Sequence, residues 1–184
     1  GTLIGRMWQK SRFQTPYLRN TLWEKGYALD TLETALPWVV VPAAASAIQE
    51  AIRSAASQAS TPILVFAHLS HVYRDGASIY VTYLFPRSKD SDETLAVWQS
   101  LKSSGSRAVV EYGGTISHQH GVGIDHAPYL AAEKGETGMG ILSALVKAVD
   151  PHQMLNPGKL ISTAVSVNLP ERMDEAGGQT STTH

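Results

Sequence analysis

Residues 63–85 read ILVFAHLSHVYRDGASIYVTYLF, and this run decides the fold. The first half, 63–71, follows Pro62 and is apolar on both faces for several residues, which predicts a central strand. Arg74, Asp75 and Gly76 carry a turn signal. In the second half, 77–85, Ile79, Val81, Tyr83 and Phe85 share one face and Ser78, Tyr80 and Thr82 the other. That period of two belongs to a strand with one buried side, so the two halves are predicted to pair as a hairpin.

Upstream, Thr15 as cap, Pro16 in the first turn and Gly26 as stop predict a helix over 15–26. A strand is expected over YALDTLET, 27–34. A second helix is expected over 43–58, where Ala44, Ile48, Ala51, Ile52 and Ala55 recur at helical spacing. Downstream, Asp90 with Glu93 resembles a capping box. It opens a long helix with Leu95, Trp98, Leu101, Gly105, Val109 and Tyr112 along one stripe, ended by Gly113-Gly114. Thr115, Ile116 and Ser117 read as a short last strand. The order strand, helix, strand, strand, helix, strand predicts an α+β fold: a ferredoxin-like antiparallel sheet with helices on one face. Two C-terminal helices, about 126–134 and 137–149, follow with a break at Gly135 and a stop at Asn156-Pro157-Gly158. Residues 1–162 make one domain; 163–184 are polar, Gly/Ser/Thr-rich and aromatic-free, the composition of a disordered tail.

The chain of 184 residues is 43% hydrophobic and 17% charged, with net charge −1 and no cysteine. This is a globular balance with no global field towards nucleic acid, so an anionic ligand must be held by local basic groups. Disulfides and thiolate metal sites are excluded. No apolar run reaches the ~20 residues of a membrane helix, and no signal segment is visible, which points to the cytoplasm or a peripheral place on a membrane.

The densest polar constellation is Ser117-His118-Gln119-His120-Gly121-Val122-Gly123. Two imidazoles beside flexible glycines at a strand's end are placed to approach a ligand, although an isolated H-x-H more often bonds only backbone. No carboxylate or thiolate stands at a familiar metal spacing, so no metal is expected. Tyr80, on the more polar face of its strand, has a phenol that can donate a hydrogen bond or pass a proton. Tyr83 sits on the apolar face and reads as core. Arg19 falls near the start of a capped helix, where an anion meets both guanidinium and free N–H groups; alone it reads as a solvated surface arginine. His68 and His71, three apart on a strand, should face opposite ways. Trp38 and Trp98 read as core or domain-contact residues.

Several stretches together carry a resemblance: RFQTPYLRN (12–20), YALDTLETALPW (27–38), HVYRDGASIY (71–80), GGTISHQHGVG (113–123) and DPHQMLNPGKL (150–160). Their order and spacing resemble the C-terminal region of FAD-linked oxidases of the vanillyl-alcohol-oxidase type, and within it the alkyldihydroxyacetonephosphate synthases and their bacterial relatives. The resemblance implies a cap domain that supplies the substrate pocket over a flavin, with FAD held mainly by an N-terminal domain or a separate flavin subunit. In the synthases an acyl-dihydroxyacetonephosphate exchanges its fatty acid for a fatty alcohol through a covalent adduct at flavin N5.

The resemblance also implies residue roles. Tyr80 matches a tyrosine used in proton transfer. His118 and His120 match the first and third of three histidines, and Arg19 matches an arginine that binds substrate phosphate. His120 and Asn156 fall at positions beside the cofactor. Gln119 stands where the family carries the middle histidine, a proton acceptor, and glutamine takes no proton at neutral pH. That departure opens an alternative, a flavin-dependent 2-hydroxy-acid dehydrogenase in which Arg19 holds a carboxylate and His120 accepts the hydroxyl proton. A third reading is a non-catalytic ferredoxin-like binding module. Nothing in the sequence reads as a pyrophosphate-binding element, since Gly121-Val122-Gly123 is a lone G-x-G. The chain is therefore expected to lack the FAD domain, to act only in its company, and to self-associate as a homo-oligomer through the face left bare.

Overall fold

The computed structural model of the chain describes residues 2–161; the expected tail, 163–184, lies outside them. The elements run α1 (Thr2–Ser11), α2 (Thr15–Glu24), β1 (Tyr27–Pro37), α3 (Val41–Gln58), β2 (Leu64–Val72), β3 (Gly76–Pro86), α4 (Ser91–Glu111) and α5 (Gly123–Val149). The strands form one antiparallel sheet in the order β1-β3-β2. The α+β class, the antiparallel sheet and the hairpin are thus as the alternation in 63–85 predicts.

The core lies between one face of the sheet and α3 and α4. Leu32, Ile79, Val81 and Phe85 from the strands meet Ile48 and Ile52 of α3 and Leu101 and Val109 of α4, all 0–1% exposed. Gly105 of α4 is small because α3 is close: a Cβ there would stand 3.1 Å from Cδ1 of Ile52. Tyr83 is fully buried as well. Burial and then the neighbouring Asp30 charge push its phenol up, so it stays a neutral donor to Asp30 Oδ2 at 2.9 Å. The same oxygen accepts from Trp98 Nε1 at 2.7 Å and Lys102 Nζ at 3.2 Å. This polar knot ties β1, β3 and α4 together inside an otherwise apolar layer.

The opposite face of the sheet is open, and this changes the reading of β2. It is an edge strand, with β3 in the centre. The second apolar row that suggested a central strand is left in solvent, with Leu64 58% and Phe66 47% exposed. β1 is longer than expected, because Ala35 to Pro37 go on pairing with Ser78 to Gly76.

The fourth strand does not form. Residues 114–118 take its place beside β1, antiparallel to it, but make only two backbone bonds there, Thr115 N to Ala35 O at 3.4 Å and His118 N to Glu33 O at 3.1 Å. The segment crosses the β1 edge and cannot hold a ladder. Its start is wedged on the helix side, where Thr34 Oγ1 donates to Thr115 O at 2.8 Å. Gly113 takes φ +69° to end α4. Gly114 must lack a Cβ, which would run into Thr34 Oγ1.

Other differences are local. α1 was not foreseen; it buries no residue, and Leu3, Ile4, Met7 and Trp8 are 61–75% exposed. Gln14, not Thr15, precedes α2, and no side chain caps that helix, which stops at Glu24. Asp90 does cap α4, accepting from Asp92 N, but Glu93 bonds the Ser88 hydroxyl instead of closing the box. Gly135, at φ +66°, breaks α5 where the sequence marks it. Trp98 is part-buried as expected, whereas Trp38 is 40% exposed and holds the hairpin tip through Nε1 to Tyr73 O at 3.2 Å. No helix among the described residues is long and apolar enough to cross a membrane.

Asp30→Ala should destabilise the chain by about 3 kcal/mol in urea unfolding, because it leaves the Lys102 ammonium, 7% exposed, without its charge partner. Asp30→Leu with Lys102→Met should recover only the part due to the unpaired ammonium, because the Tyr83 hydroxyl and Trp98 Nε1 still lack their acceptor.

Candidate functional site

The site grows from Glu33. It occupies the open-face row of β1 opposite Tyr80, which in turn pairs with His68 of β2. A carboxylate on an open sheet face should be wet, yet Glu33 is 3% exposed. Two irregularities close over it. The first is the 114–121 segment after it crosses the β1 edge. There Gln119 adopts φ +62°, curling the chain so that the rings on either side of it turn inwards. His118 Nδ1 stands 3.3 Å from Glu33 Oε1, and His120 Nε2 stands 3.3 Å from Oε2. The His118 contact is close but poorly aligned, so Nδ1, itself out of solvent, lacks a well-formed hydrogen bond.

The second irregularity is a register shift in β2 between Leu69 and Val72. Strict alternation would turn His71 away from His68. The shift instead carries the His71 ring to Glu33, with Nδ1 3.5 Å from Oε1. Ser70 completes the ring of donors, its hydroxyl 2.7 Å from Oε1. Ser70 Oγ and His71 Nδ1 are 2.7 Å apart, and His71 N donates to Ser78 Oγ at 2.9 Å.

Burial by itself raises the Glu33 carboxyl. The Ser70 and Ser78 hydroxyls and the His118 ring outweigh it, and the net displacement is downwards from the ordinary value of 4.5. Glu33 is therefore an ionised, nearly dry carboxylate touched by three imidazoles. Tyr80 lies among them: its ring stacks on His68 at 5.2 Å between centroids and meets His120 edge-on at 5.3 Å. Tyr73, at the hairpin tip, reaches His118 Nε2 with its hydroxyl at 3.0 Å. Glu133 of α5 pins the loop from below, accepting from Ile116 N at 2.8 Å and Thr115 Oγ1 at 3.1 Å.

Of the residues singled out in the sequence, Tyr80, His118 and His120 are brought together here. Gln119 is in the same loop but exposed. Arg19, exposed on α2, makes no hydrogen bond or ion pair among the described residues; its charge is felt by the Tyr83 phenol on the helix side. Asn156, at φ +51°, lies in the turn after α5, where Asp150 accepts from Met154 N and Leu155 N. Neither joins the cluster.

Glu33, His71 and Tyr73 are the residues that sequence reasoning missed. Glu33 left a signal, since a charged residue inside a strand is unusual; the bulge that recruits His71 left none. Glu33, His71 and His118 offer ligand atoms within 4.8 Å of one another, close enough for one metal ion, a grouping that spacing along the chain does not announce. The ion pairs and the Ser70 hydrogen bond account for the same arrangement.

Residues 3–160 match the family described as FAD linked oxidases, C-terminal domain. The chain belongs to this family. Among curated relatives, the alkyldihydroxyacetonephosphate synthase of Trypanosoma brucei brucei is 26% identical over 166 residues, covering 90% of the chain and 27% of that protein. The synthase of Dictyostelium discoideum is 26% identical over 171 residues, 93% of the chain and 28% of that protein. The chain thus spans little more than a quarter of these relatives. The glycolate oxidase subunit GlcD of Bacillus subtilis (strain 168) is 39% identical over a shorter stretch of 74 residues, 40% of the chain and 16% of that protein. A solved structure of alkyldihydroxyacetonephosphate synthase superposes on 83% of the chain, and 24% of its own, with a TM-score of 0.58 at 19% identity, a likeness of fold.

Because the folded value of Glu33 is depressed, its contribution to stability is complete above the ordinary glutamate range and is lost as pH falls through the lower folded value. Asp30 and Glu133 are displaced the same way, despite burial that raises each, by Lys102 and Trp98 in one case and by Lys134 and the Ile116 amide in the other. The thermal midpoint should therefore fall steeply between about pH 5 and about pH 3. In Glu33→Gln the fall should be shallower, measured by circular dichroism across that range.

Proposed function

We propose that this chain is the substrate-capping part of an FAD-dependent enzyme of the alkyldihydroxyacetonephosphate-synthase type, whose open sheet face lies over a flavin held by a companion domain. The observation that carries the reading is the convergence of Tyr80, His118 and His120 on the open face around one buried carboxylate. Three residues matched to the family, from two stretches of sequence far apart in the chain, meet there in space.

The face also suits a flat cofactor. Beyond the polar cluster, past the row of Thr31, Thr82 and Phe66, Leu29 and Leu84 sit in register on the same side, with Leu64 of β2 beside them. An apolar platform adjoining acid–base groups is what a ring system and a lipid chain both require. α1 supports the companion domain independently. Ten residues are too few to make a stable helix alone in water, and its exposed apolar stripe needs something to cover it.

When bound, the flavin supplies the electron-accepting ring at which the substrate carbon reacts. The residues of this chain handle protons. In acyl-for-alkyl exchange the incoming alcohol loses a proton and the departing carboxylate can take one, so a single acid–base relay closes the balance. Tyr80 can donate to the leaving oxygen, and His120, with its Nε2 turned to Glu33, has Nδ1 left to accept. Arg19, expected to hold the substrate's phosphate, stands apart from this cluster with its charge felt on the helix side of the sheet, and takes no part in the relay. Nothing here makes Gln119 a proton acceptor, which favours a second reading: a 2-hydroxy-acid dehydrogenase, in which His120 takes the hydroxyl proton as hydride leaves. The shorter similarities to GlcD and to the D-2-hydroxyglutarate dehydrogenase of Xanthomonas citri pv. viticola (strain LMG 965 / NCPPB 2475 / ICMP 3867 / CFBP 7660), 26% identical over 101 residues, are in keeping with it.

The test is the whole enzyme, with this chain joined to its flavin-binding domain. Ether formation from an acyl-dihydroxyacetonephosphate and a long-chain alcohol is expected, and Tyr80→Phe and His120→Ala should each lower kcat/KM by about 10²-fold or more with the fold intact. Bleaching of the flavin by 2-hydroxy acids without ether product would select the second reading. Full activity in both variants would overturn either.

A further inference from the structure

A neutral imidazole carries one N–H and one lone pair, and a neighbouring hydrogen bond decides which nitrogen has which. Around Glu33 the choice is constrained. The carboxylate is ionised and 3% exposed, so a ring lone pair turned towards it at 3.3 Å would be repelled. His118 faces Oε1 with Nδ1, and His120 faces Oε2 with Nε2. Both nitrogens must therefore hold hydrogen. The other donors agree in direction: the Ser70 hydroxyl points to Oε1, and His71 Nδ1–H can pass its own bond to Ser70 Oγ. Every donor in the cluster runs inwards to one acceptor.

The consequence is specific for His118. A free neutral histidine prefers its hydrogen on Nε2, so Nδ1–H is an imposed form. Nε2 is then a lone pair, 3.0 Å from the Tyr73 hydroxyl, which becomes the donor in that bond. His120 keeps the ordinary form, with Nδ1 free as an acceptor beside Tyr80.

We propose that Glu33 is the positioning residue of this site, fixing His118 as the Nδ1–H tautomer and His120 as the Nε2–H tautomer, so that His118 Nε2 accepts from the Tyr73 hydroxyl while its Nδ1–H faces the carboxylate, and His120 Nδ1 is left as the open base. The functional weight of this assignment rests on the proposed function above, because it is there that His120 and Tyr80 act on substrate. The Tyr73–His118 hydrogen bond adds a second phenol to the site, Tyr73, 46% exposed at the hairpin tip.

The tautomers can be read without flavin or substrate, so failure of this inference and failure of the proposed function are distinguishable. The measurement is ¹⁵N–¹³C correlation of the histidine rings in the full 184-residue chain, treated with EDTA, at a pH where the imidazoles are neutral. His118 should show its protonated nitrogen at Nδ1 and His120 at Nε2. In Glu33→Gln the amide has one accepting and one donating end, so one of the two rings must reverse its tautomer. In Glu33→Asp both should remain. Tyr73→Phe separates cause from consequence and leaves the buried carboxylate in place: His118 should stay Nδ1–H. A wild-type His118 protonated at Nε2, or a return to Nε2–H in Tyr73→Phe, would overturn the proposal, as would unchanged tautomers in a folded Glu33→Gln chain.

Discussion

A carboxylate removed from water needs donors, and the site is organised around meeting that need for Glu33. Transfer of an ionised group into a dry environment is costly unless it is paired and hydrogen-bonded. Here the partners come from two separate places: Ser70 and His71 from a bulged edge strand, and His118 and His120 from a loop that crosses the edge of β1. Loop and bulge are each irregular, and each gives up ladder bonds to reach the same two oxygens. The segment that replaces a fourth strand and the shifted register of β2 thus serve the same carboxylate.

Sheet and core were legible because they obey simple periods. The alternation of Ile79, Val81, Tyr83 and Phe85 marks the buried side of β3, and the helical spacing of Ile48 and Ile52 marks the face of α3 that covers it. The chemistry was legible only in part. Tyr80, His118 and His120 could be picked out as a polar face and a glycine-flanked loop, and similarity to a family gave them roles. Glu33 could not be placed, because its burial is produced by a segment 81 to 87 residues further on, His118 and His120 being those that cover it. His71 was assigned to the wrong side, because alternation fails at a bulge. Thr115 to Ser117 look like a strand by composition, but Gly114 and Thr34 hold the segment's start on the helix side and spoil the pairing.

The bare surfaces of the chain fall on the same account. Phe66 on the open face of the sheet is 47% exposed and Trp8, in the apolar stripe of α1, 61%, surface of the kind that a partner can cover. Phe66 shares the open face with the cluster around Glu33. A flavin-bearing partner domain over the sheet would cover the apolar platform and supply the missing chemistry together.

The measurement that bears most directly on this account is a crystal structure of the chain joined to its flavin-binding domain with FAD bound. The isoalloxazine ring is expected against the open sheet face, within reach of Tyr80 and His120, with Glu33 still shielded behind the two histidines. An isoalloxazine seated on the helical face formed by α3 and α4, or remote from the sheet, would contradict it.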